Sequence, residues 1–475
     1  MSLGHPPKGF AGAIARFARG CTLDSVPEAA VVAAKSCLID WAGVAIAAAR
    51  DPASSGALLS TIADLGGPPQ ASVLGVGLRT SAANAAFANG ALSHVLDLDD
   101  VHTGVRDQPV HVSAPIAPAV VAAAQWRRAS GREALEAFVA GVETAFRLAK
   151  ALGSGHYARG WHATSTVGGV AAALAAGRVL GLDEPSLEAA MGLAGVQASG
   201  FRGAFGTPAK ACQVGHAAAS GLLAAVLARN GVGTGGTDLF ETAHGYFAVF
   251  ATGGDASAGI DDLGSRFAVS SVTFKRHASC GATEAAIDAV LDMDARPAAA
   301  DVESVVVTVP PAAADMARFE DPRTPLEAKF SITHCTALAF VVGSADLSQF
   351  EEDAFARDDV AALRRRIRVA TEPGLSGARV EVRLVSGETA VATTRRDRWF
   401  ERTARRHETV DAKFLALAAP SLSPERARKA LGSLRALEDE DDLEAAVSLL
   451  QPPAPPEGPG DERTRGAASR LRPSE

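Results

Sequence analysis

The sequence predicts a mainly α protein: one large all-helical domain with a smaller α+β domain inserted near its end. Three features lead there. Ala, Leu and Val recur at helical spacing through residues 8–268. Alternating β-branched segments are confined to 269–404. Helical periodicity then returns over 405–450, so the end of the chain rejoins the helical part. The last stretch, 451–475, is rich in Pro, Gly and charge and reads as a disordered tail.

The elements follow in order. Helical spacing marks Glu28–Ala49, Ser81–Leu96, Ala114–Arg128, Arg132–Leu152, Ser165–Leu180, Ser186–Ser199 and Gly215–Asn230. Gly181 to Pro185 ends one helix and starts the next, with Asp183 or Ser186 as cap and Pro185 in the first turn. Gly231 to Gly236 stops the helix that runs to Asn230. Many of these helices are rich in Ala and Gly, which lets neighbours approach closely. Beyond Ser265, Val302–Pro310, Arg366–Ala370 and Arg379–Leu384 alternate as strands. Val385 to Glu388 reads as a hairpin turn into Thr389–Thr394. Helices at Ala282–Met293 and around Leu338–Gly343 complete the unit, and Ser423-Pro424-Glu425 opens a late helix.

Composition excludes several classes of function. Net charge is −8 with no basic block, so no nucleic-acid partner is expected. The long apolar stretch Ala29–Ala49 is broken by Lys35, Ser36 and Asp40, and so reads as a buried helix, not a membrane span. The five cysteines are odd in number and lack metal-ligand spacing, and the N-terminal residues lack a signal-type apolar run. A cytoplasmic protein with free thiols is the expectation. Positive charge is carried mostly by Arg. Lysine occurs at eight positions, which draws notice to Lys210 and Lys275 inside small-residue motifs.

The chemistry concentrates in Ala91–Pro118, which holds His94, Asp97, Asp99, Asp100, His102 and His111 among apolar residues. Charge beside core-type helix is costly unless it is paired or used. Three readings fit: a metal site, a polar catalytic pocket, or a structural polar cluster. Two imidazoles and three carboxylates over 94–102 suit Zn, Mn or Fe and would make a metal-dependent hydrolase. Against it, His94 with Asp97 and Asp99 with His102 are i,i+3 pairs that point in different directions.

Further candidates lie elsewhere. His111, held between Pro109 and Pro115 before an apolar helix, suits proton transfer, or is a loop histidine satisfied by backbone. His162 sits beside Thr164, Ser165 and Thr166 at a helix start that suits a carboxylate, or simply caps. Lys210 precedes a small-residue helix and suits a carboxylate partner. Lys275, Arg276 and His277 lie at the join of the two parts, where clefts hold ligands; the plain alternative is a basic linker. Cys280 lacks the partner pattern of a nucleophile. No P-loop, dinucleotide fingerprint, HExxH or CxxC occurs.

In order and spacing these segments resemble the MmgE/PrpD family. The likeness rests on His94 to His111, Gly160–Asp183, Gly206–Ala218, the GTGG run with Glu241 and Gly245, Lys275 with Cys280 and Ile287-Asp288-Ala289, and Lys329 to Ile332 with His334. It covers about residues 8–450. The resemblance implies that the inserted smaller α+β domain is a lid, that the protein is a homodimer, and that no metal or organic cofactor is required. It implies small-polycarboxylate chemistry: 2-methylcitrate dehydration, cis-aconitate decarboxylation or iminodisuccinate epimerisation. By likeness the pocket positions are Asp97, His111, His162, Lys210, Lys275 and His334. The chain departs from the family where Val101 replaces a Thr, Val112 a Pro, His334 a Tyr common in decarboxylating members, and Glu284 a frequent His.

The expectation is therefore a lyase that dehydrates a 2-methylcitrate-type hydroxy acid. Lys210 and Lys275, with Arg276, would hold substrate carboxylates. His111 would move the proton, His162 and His334 would place the leaving group, and Asp97 would orient an imidazole or a lysine. Decarboxylation and epimerisation share its first step. A metal-dependent hydrolase, or a helical scaffold with these residues dispersed, are the readings from other classes.

Overall fold

The computed structural model describes residues 9–105, 108–236, 238–394 and 406–453. The sequence-predicted tail from 454 onward lies outside them. The architecture is mainly α, with small sheets.

The helical body starts with α1 (Gly9–Gly20), α2 (Glu28–Arg50), α3 (Pro52–Leu65) and α4 (Ala82–Val95). It continues with α5 (Ser113–Arg127), α6 (Gly131–Leu152), α7 (Ser154–Ala158), α8 (Ala163–Val179), α9 (Glu184–Gly195) and α10 (Ala209–Arg229). At its centre is α8, buried along its length except at Arg178 and packed by α5, α6, α9 and α10. Its Ala/Gly composition is what allows four neighbours. A close approach joins α4 to α10. A Cβ on Gly215 would stand 2.5 Å from the Phe87 carbonyl oxygen, so a larger residue would force these helices apart. That contact matters because α4 and α10 carry opposite halves of the site described below.

Caps fall where turn chemistry places them. Asp183 accepts from the Ser186 N–H at the start of α9, and Ser130 with Glu133 forms a capping box on α6. The start of α8 differs from expectation. Its N-cap is His162, with no side-chain cap bond. Thr164 instead accepts from the His111 N–H at 3.1 Å, so the hydroxyl ties the start of α8 to the loop before α5.

Two short strand pairs occur in the first part, β1 (Ala71–Val73) with β2 (Leu78–Thr80) and β3 (Val101–His102) with β4 (Val272–Thr273), both antiparallel. The second pair stitches residues 272–273 to the helical body, a tie that sequence spacing does not reveal. Beyond α11 (Tyr246–Phe250) and α12 (Gly281–Leu291), β5 (Val302–Val309), β6 (Ile367–Thr371), β7 (Ala378–Leu384) and β8 (Thr389–Thr394) form a sheet in the order β6-β5-β7-β8. β5 and β6 run parallel, with Val305 opposite Ile367; the other pairs are antiparallel. The β7–β8 turn lies where the sequence places it, with Gly387 at φ 87°. Valines 302, 305, 307 and 309 of β5 are buried, and α12 and α15 (Ile332–Val341) pack on this sheet. Between β5 and α15 lie α13 (Pro311–Met316) and α14 (Pro325–Ala328).

After the sheet, the helix Arg406–Leu422 packs along α2, where Gly43 leaves room for Phe414. The helix Pro424–Arg435, capped by Ser423, also reaches α2. By length and apolar content α2 and α10 could cross a membrane. Both are mostly buried within the protein, and α2 is enclosed by α4 and the late helices.

Candidate active site

The polar cluster begins where α4 ends. Leu96 caps the helix, and Asp97 follows in the left-handed region at φ 54°. Few non-glycine residues adopt that conformation, and Asp is among the more tolerant. The turn leaves the carbonyls of residues 96–98 pointing outward at the negative end of the helix dipole. Each takes a lysine. Lys329 Nζ donates to Leu96 O at 2.7 Å, Lys275 Nζ to Asp97 O at 2.8 Å, and Lys413 Nζ to Leu98 O at 2.7 Å. Lys210, near the start of α10, reaches the Asp97 carboxylate at 2.5 Å, and Lys275 lies 3.2 Å from its other oxygen. Four of the eight lysines of this Arg-rich chain therefore converge on three residues.

Burial alone would raise the Asp97 carboxyl; Lys210 and Lys275 outweigh it and hold it far below the usual carboxylate range. For Lys275 burial opposes the charge, but Asp97 and Asp99 keep it above the ordinary lysine value. Lys329 is less compensated, and burial lowers it to about 8. Lys210 also sits 5.6 Å from the Phe205 ring and 5.5 Å from Phe330, a cation–π setting. Two ammoniums on one carboxylate leave a unit of positive charge for an anion.

Beside this group lies an imidazole cluster. Asp99 Oδ2 is 2.8 Å from His94 Nδ1 and 3.1 Å from His111 Nδ1. The rings of His94 and His111 are 4.7 Å apart, and His162 stacks on His94 at 5.7 Å. Burial pushes His94 down to about 4 and His162 well below the usual histidine range. Burial opposes ionisation of Asp99, yet His94 and His111 hold its carboxyl well below normal. With Nδ1 turned to Asp99, His111 presents Nε2 as the ring nitrogen for proton transfer. A carboxylate behind an imidazole fixes its tautomer and orientation in this way.

A cavity of about 480 Å³ opens onto both groups. Asp97, His111, His162, Lys210 and Lys275 all line it, with Thr103, Thr164, Arg202, Cys280 and Glu284. Phe205, Phe330 and Met316 supply apolar wall. This convergence overturns the dispersed-scaffold reading.

Two sequence-named residues are not on the lining. Arg276 turns to the Asp288 carboxylate, which His277 also reaches at 3.0 Å. His334 is buried on α15 with its ring 5.5 Å from that of Phe355 and Nδ1 3.5 Å from Arg364. Both corrections have one cause. These side chains leave the backbone toward ion-pair and aromatic partners within the α+β part, and linear spacing does not show direction. The Asp97–His102 cluster also divides. Asp100 caps the start of α5 through Ser113, and burial together with Asp40 raises it to about 8. His102 packs on Phe146 at 4.9 Å. Of the expected ligand set, His94 and Asp99 remain together, joined by His111, with potential ligand atoms within 4.8 Å of one another. His94 Nδ1 hydrogen-bonds Asp99 at 2.8 Å, and His111 Nδ1 makes a 3.1 Å ion-pair contact with the same oxygen. Cys280 is buried, and its thiol is raised to about 11, which removes it as a nucleophile at neutral pH.

Sequence reasoning missed Arg202, Lys413 and the roles of Lys329 and Glu284. Lysine scarcity was the available signal for the two lysines. Arg202 lies over the Tyr157 ring at 4.2 Å and pairs with Asp315 of α13 at 2.6 Å, so the pair links the helical body to the sheet-bearing part at the cavity.

A cavity that holds a carboxylate–lysine group beside a carboxylate–imidazole cluster has the makeup of an enzyme active site. Comparison with known proteins gives the family. Residues 12–258 match the MmgE/PrpD N-terminal domain and residues 277–439 match the MmgE/PrpD C-terminal domain. The chain belongs to the MmgE/PrpD family. It is 28% identical over 384 residues to a cis-aconitate decarboxylase of Aspergillus terreus, covering 76% of this chain and 78% of that one. It is 28% identical over 457 residues to the cis-aconitate decarboxylase-like protein oryM of Aspergillus oryzae, covering 90% and 94%. It is 25% identical over 394 residues to a human cis-aconitate decarboxylase, covering 78% and 80%. These relatives carry the name of a lyase, and the chain is an enzyme of that broad kind.

Proposed function

We propose that this enzyme decarboxylates a cis-aconitate-type unsaturated polycarboxylate. The observation that carries the proposal is the placement of Lys210 and Lys275 on Asp97 in the same cavity as the Asp99-backed His111. The dehydration of a 2-methylcitrate-type acid expected from sequence becomes the second reading, because the similar proteins reported above are named cis-aconitate decarboxylase or decarboxylase-like. His334, which stands where decarboxylating members often have Tyr, is off the cavity lining, so that departure weighs less against decarboxylation.

In the proposed step the carbon–carbon bond to one carboxylate breaks and carbon dioxide leaves. The electron pair moves through the adjacent double bond, and the far alkene carbon gains a proton. Lys210 and Lys275 hold the remaining carboxylates and stabilise the developing negative charge. His111 delivers the proton from Nε2 while Asp99 fixes the ring. His162, kept neutral by burial, hydrogen-bonds the substrate. The step as written uses no cofactor.

The test is proton NMR in D₂O of the purified protein with cis-aconitate, citrate, 2-methylcitrate and iminodisuccinate. Loss of carbon dioxide from cis-aconitate with one deuteron gained at carbon supports the proposal. Loss of water from 2-methylcitrate with cis-aconitate untouched would return the reading to dehydration. Deuterium exchange without net loss would indicate epimerisation.

A further inference from the structure

Glu284 carries a buried acid into the cavity. It lies in the first turn of α12, is 1% exposed, and lines the same cavity as Lys210 and Lys275. Both of its carboxyl oxygens are buried without a hydrogen-bond partner among the described residues. A buried polar group left unpaired is costly, and such groups in native proteins call for an explanation.

The charged neighbours define what the group can be. Facing it are Lys275 and Arg276 from the segment before α12, Asp288 one turn later, and Lys413 from the helix Arg406–Leu422. Arg276 is engaged by Asp288, Lys413 by Asp40 and Leu98 O, and Lys275 by Asp97. From the elements packed on α12, α13 brings Asp315, held by Arg202; α15 brings His334, beside Arg364. On β7, Arg379 pairs with Glu372 and Glu381, and Arg383 with Glu303; β8 brings no charge. Among the described residues no cation is committed to Glu284. Burial without a partner for either oxygen disfavours the carboxylate and drives the carboxyl well above the usual range despite the pull of Lys275, so the site favours the acid form.

We infer that Glu284 is a further substrate-contacting residue, which offers a carboxylic acid O–H to a carboxylate of the bound polycarboxylate. The inference rests on the polycarboxylate reading above. An ionised Glu at this place would repel an anionic substrate. The acid form instead supplies one donor, and an O–H on a carboxylate is among the stronger hydrogen bonds. The contact is lost when Glu284 ionises as pH rises.

Two measurements test it. The first is the infrared difference spectrum of wild type minus E284Q at pH 7, without ligand. A protonated-carboxyl C=O band lost in E284Q is expected; its absence would overturn the inference by itself. The second is calorimetric titration with tricarballylate, a saturated tricarboxylate that lacks the double bond the reaction needs, from pH 6.5 to 9.5. E284Q, whose amide still donates, should bind within about twofold of wild type at pH 7, and E284A about ten- to hundred-fold more weakly. Wild type should lose affinity relative to E284Q as pH rises, while Lys329 and the other lysines titrate alike in both proteins. Equal binding by wild type and E284A would overturn the contact alone. If E284A does not fold, parallel pH curves for wild type and E284Q would do so. Failure of wild type to bind tricarballylate would overturn the contact and the polycarboxylate reading together.

Discussion

Asp97→Asn changes one atom and removes the charge that holds the site together. Lys210 Nζ and Lys275 Nζ lie 2.5 and 3.2 Å from the two carboxylate oxygens, all three groups buried. At an effective dielectric of about 20 these contacts carry about 7 and 5 kcal/mol of gross attraction, set against a desolvation penalty of several kcal/mol per ion. Taking one partner from such a buried group costs about 3–5 kcal/mol. Unfolding entropy for a chain of this length is about 1 kcal/mol/K, so each kcal/mol moves the melting temperature by about 1 °C. D97N should therefore melt about 3–5 °C below wild type at pH 7 in scanning calorimetry.

The pH dependence of that gap separates charge from shape. Asp97 is depressed in the fold, so its contribution is present above its unfolded value and lost as acid protonates it. Lys275 is raised, so its contribution is present below the unfolded lysine value and lost in alkali. In D97N Lys275 loses the carboxylate that raises it and sheds its proton more readily, and the gap to wild type should shrink between pH 6 and pH 9. A gap of the same size at both values, or one below about 1 °C at pH 7, would refute the electrostatic account.

Further outcomes are expected at the same site. His111→Asn should lower kcat by about 10²–10⁴ in the NMR assay with KM nearly unchanged, because it removes proton transfer and leaves the lysines in place. His334→Phe, off the cavity lining, should retain turnover within about twofold; a larger loss with the fold intact by circular dichroism would return this residue to the site. Dialysis against a chelator, followed by metal analysis, should leave turnover unchanged. Lost activity restored by a divalent ion would instead favour a metal held by His94, Asp99 and His111.

The strands were legible because β-branched alternation over Val302–Val309 and Ala378–Leu384 has a period no helix shares. The late helix start at Ser423 and the cap at Asp183 were legible from local turn chemistry. The pairing of Val101–His102 with Val272–Thr273 was not, since two-residue strands leave no periodic trace. Within the site, sequence placed Asp97, His111, His162, Lys210 and Lys275 on a candidate list because buried charge and rare lysines stand out from an Ala-rich background. It also put His334 and Arg276 there, because residue type and order say nothing of side-chain direction.

Composition and periodicity by themselves determined a mainly helical chain with a short β-rich stretch and a store of polar groups too dense for ordinary surface. They did so because hydrophobic spacing and the cost of burying charge act locally. The tertiary structure alone decided which groups meet. The left-handed turn at Asp97 aims three successive carbonyls at lysines up to 315 residues away. The close approach of α4 and α10 brings Lys210 to that turn. The position of α12 on the cavity leaves Glu284 buried and, among the described residues, unpaired. Such meetings depend on angles and distances between packed elements, which no single segment of sequence encodes.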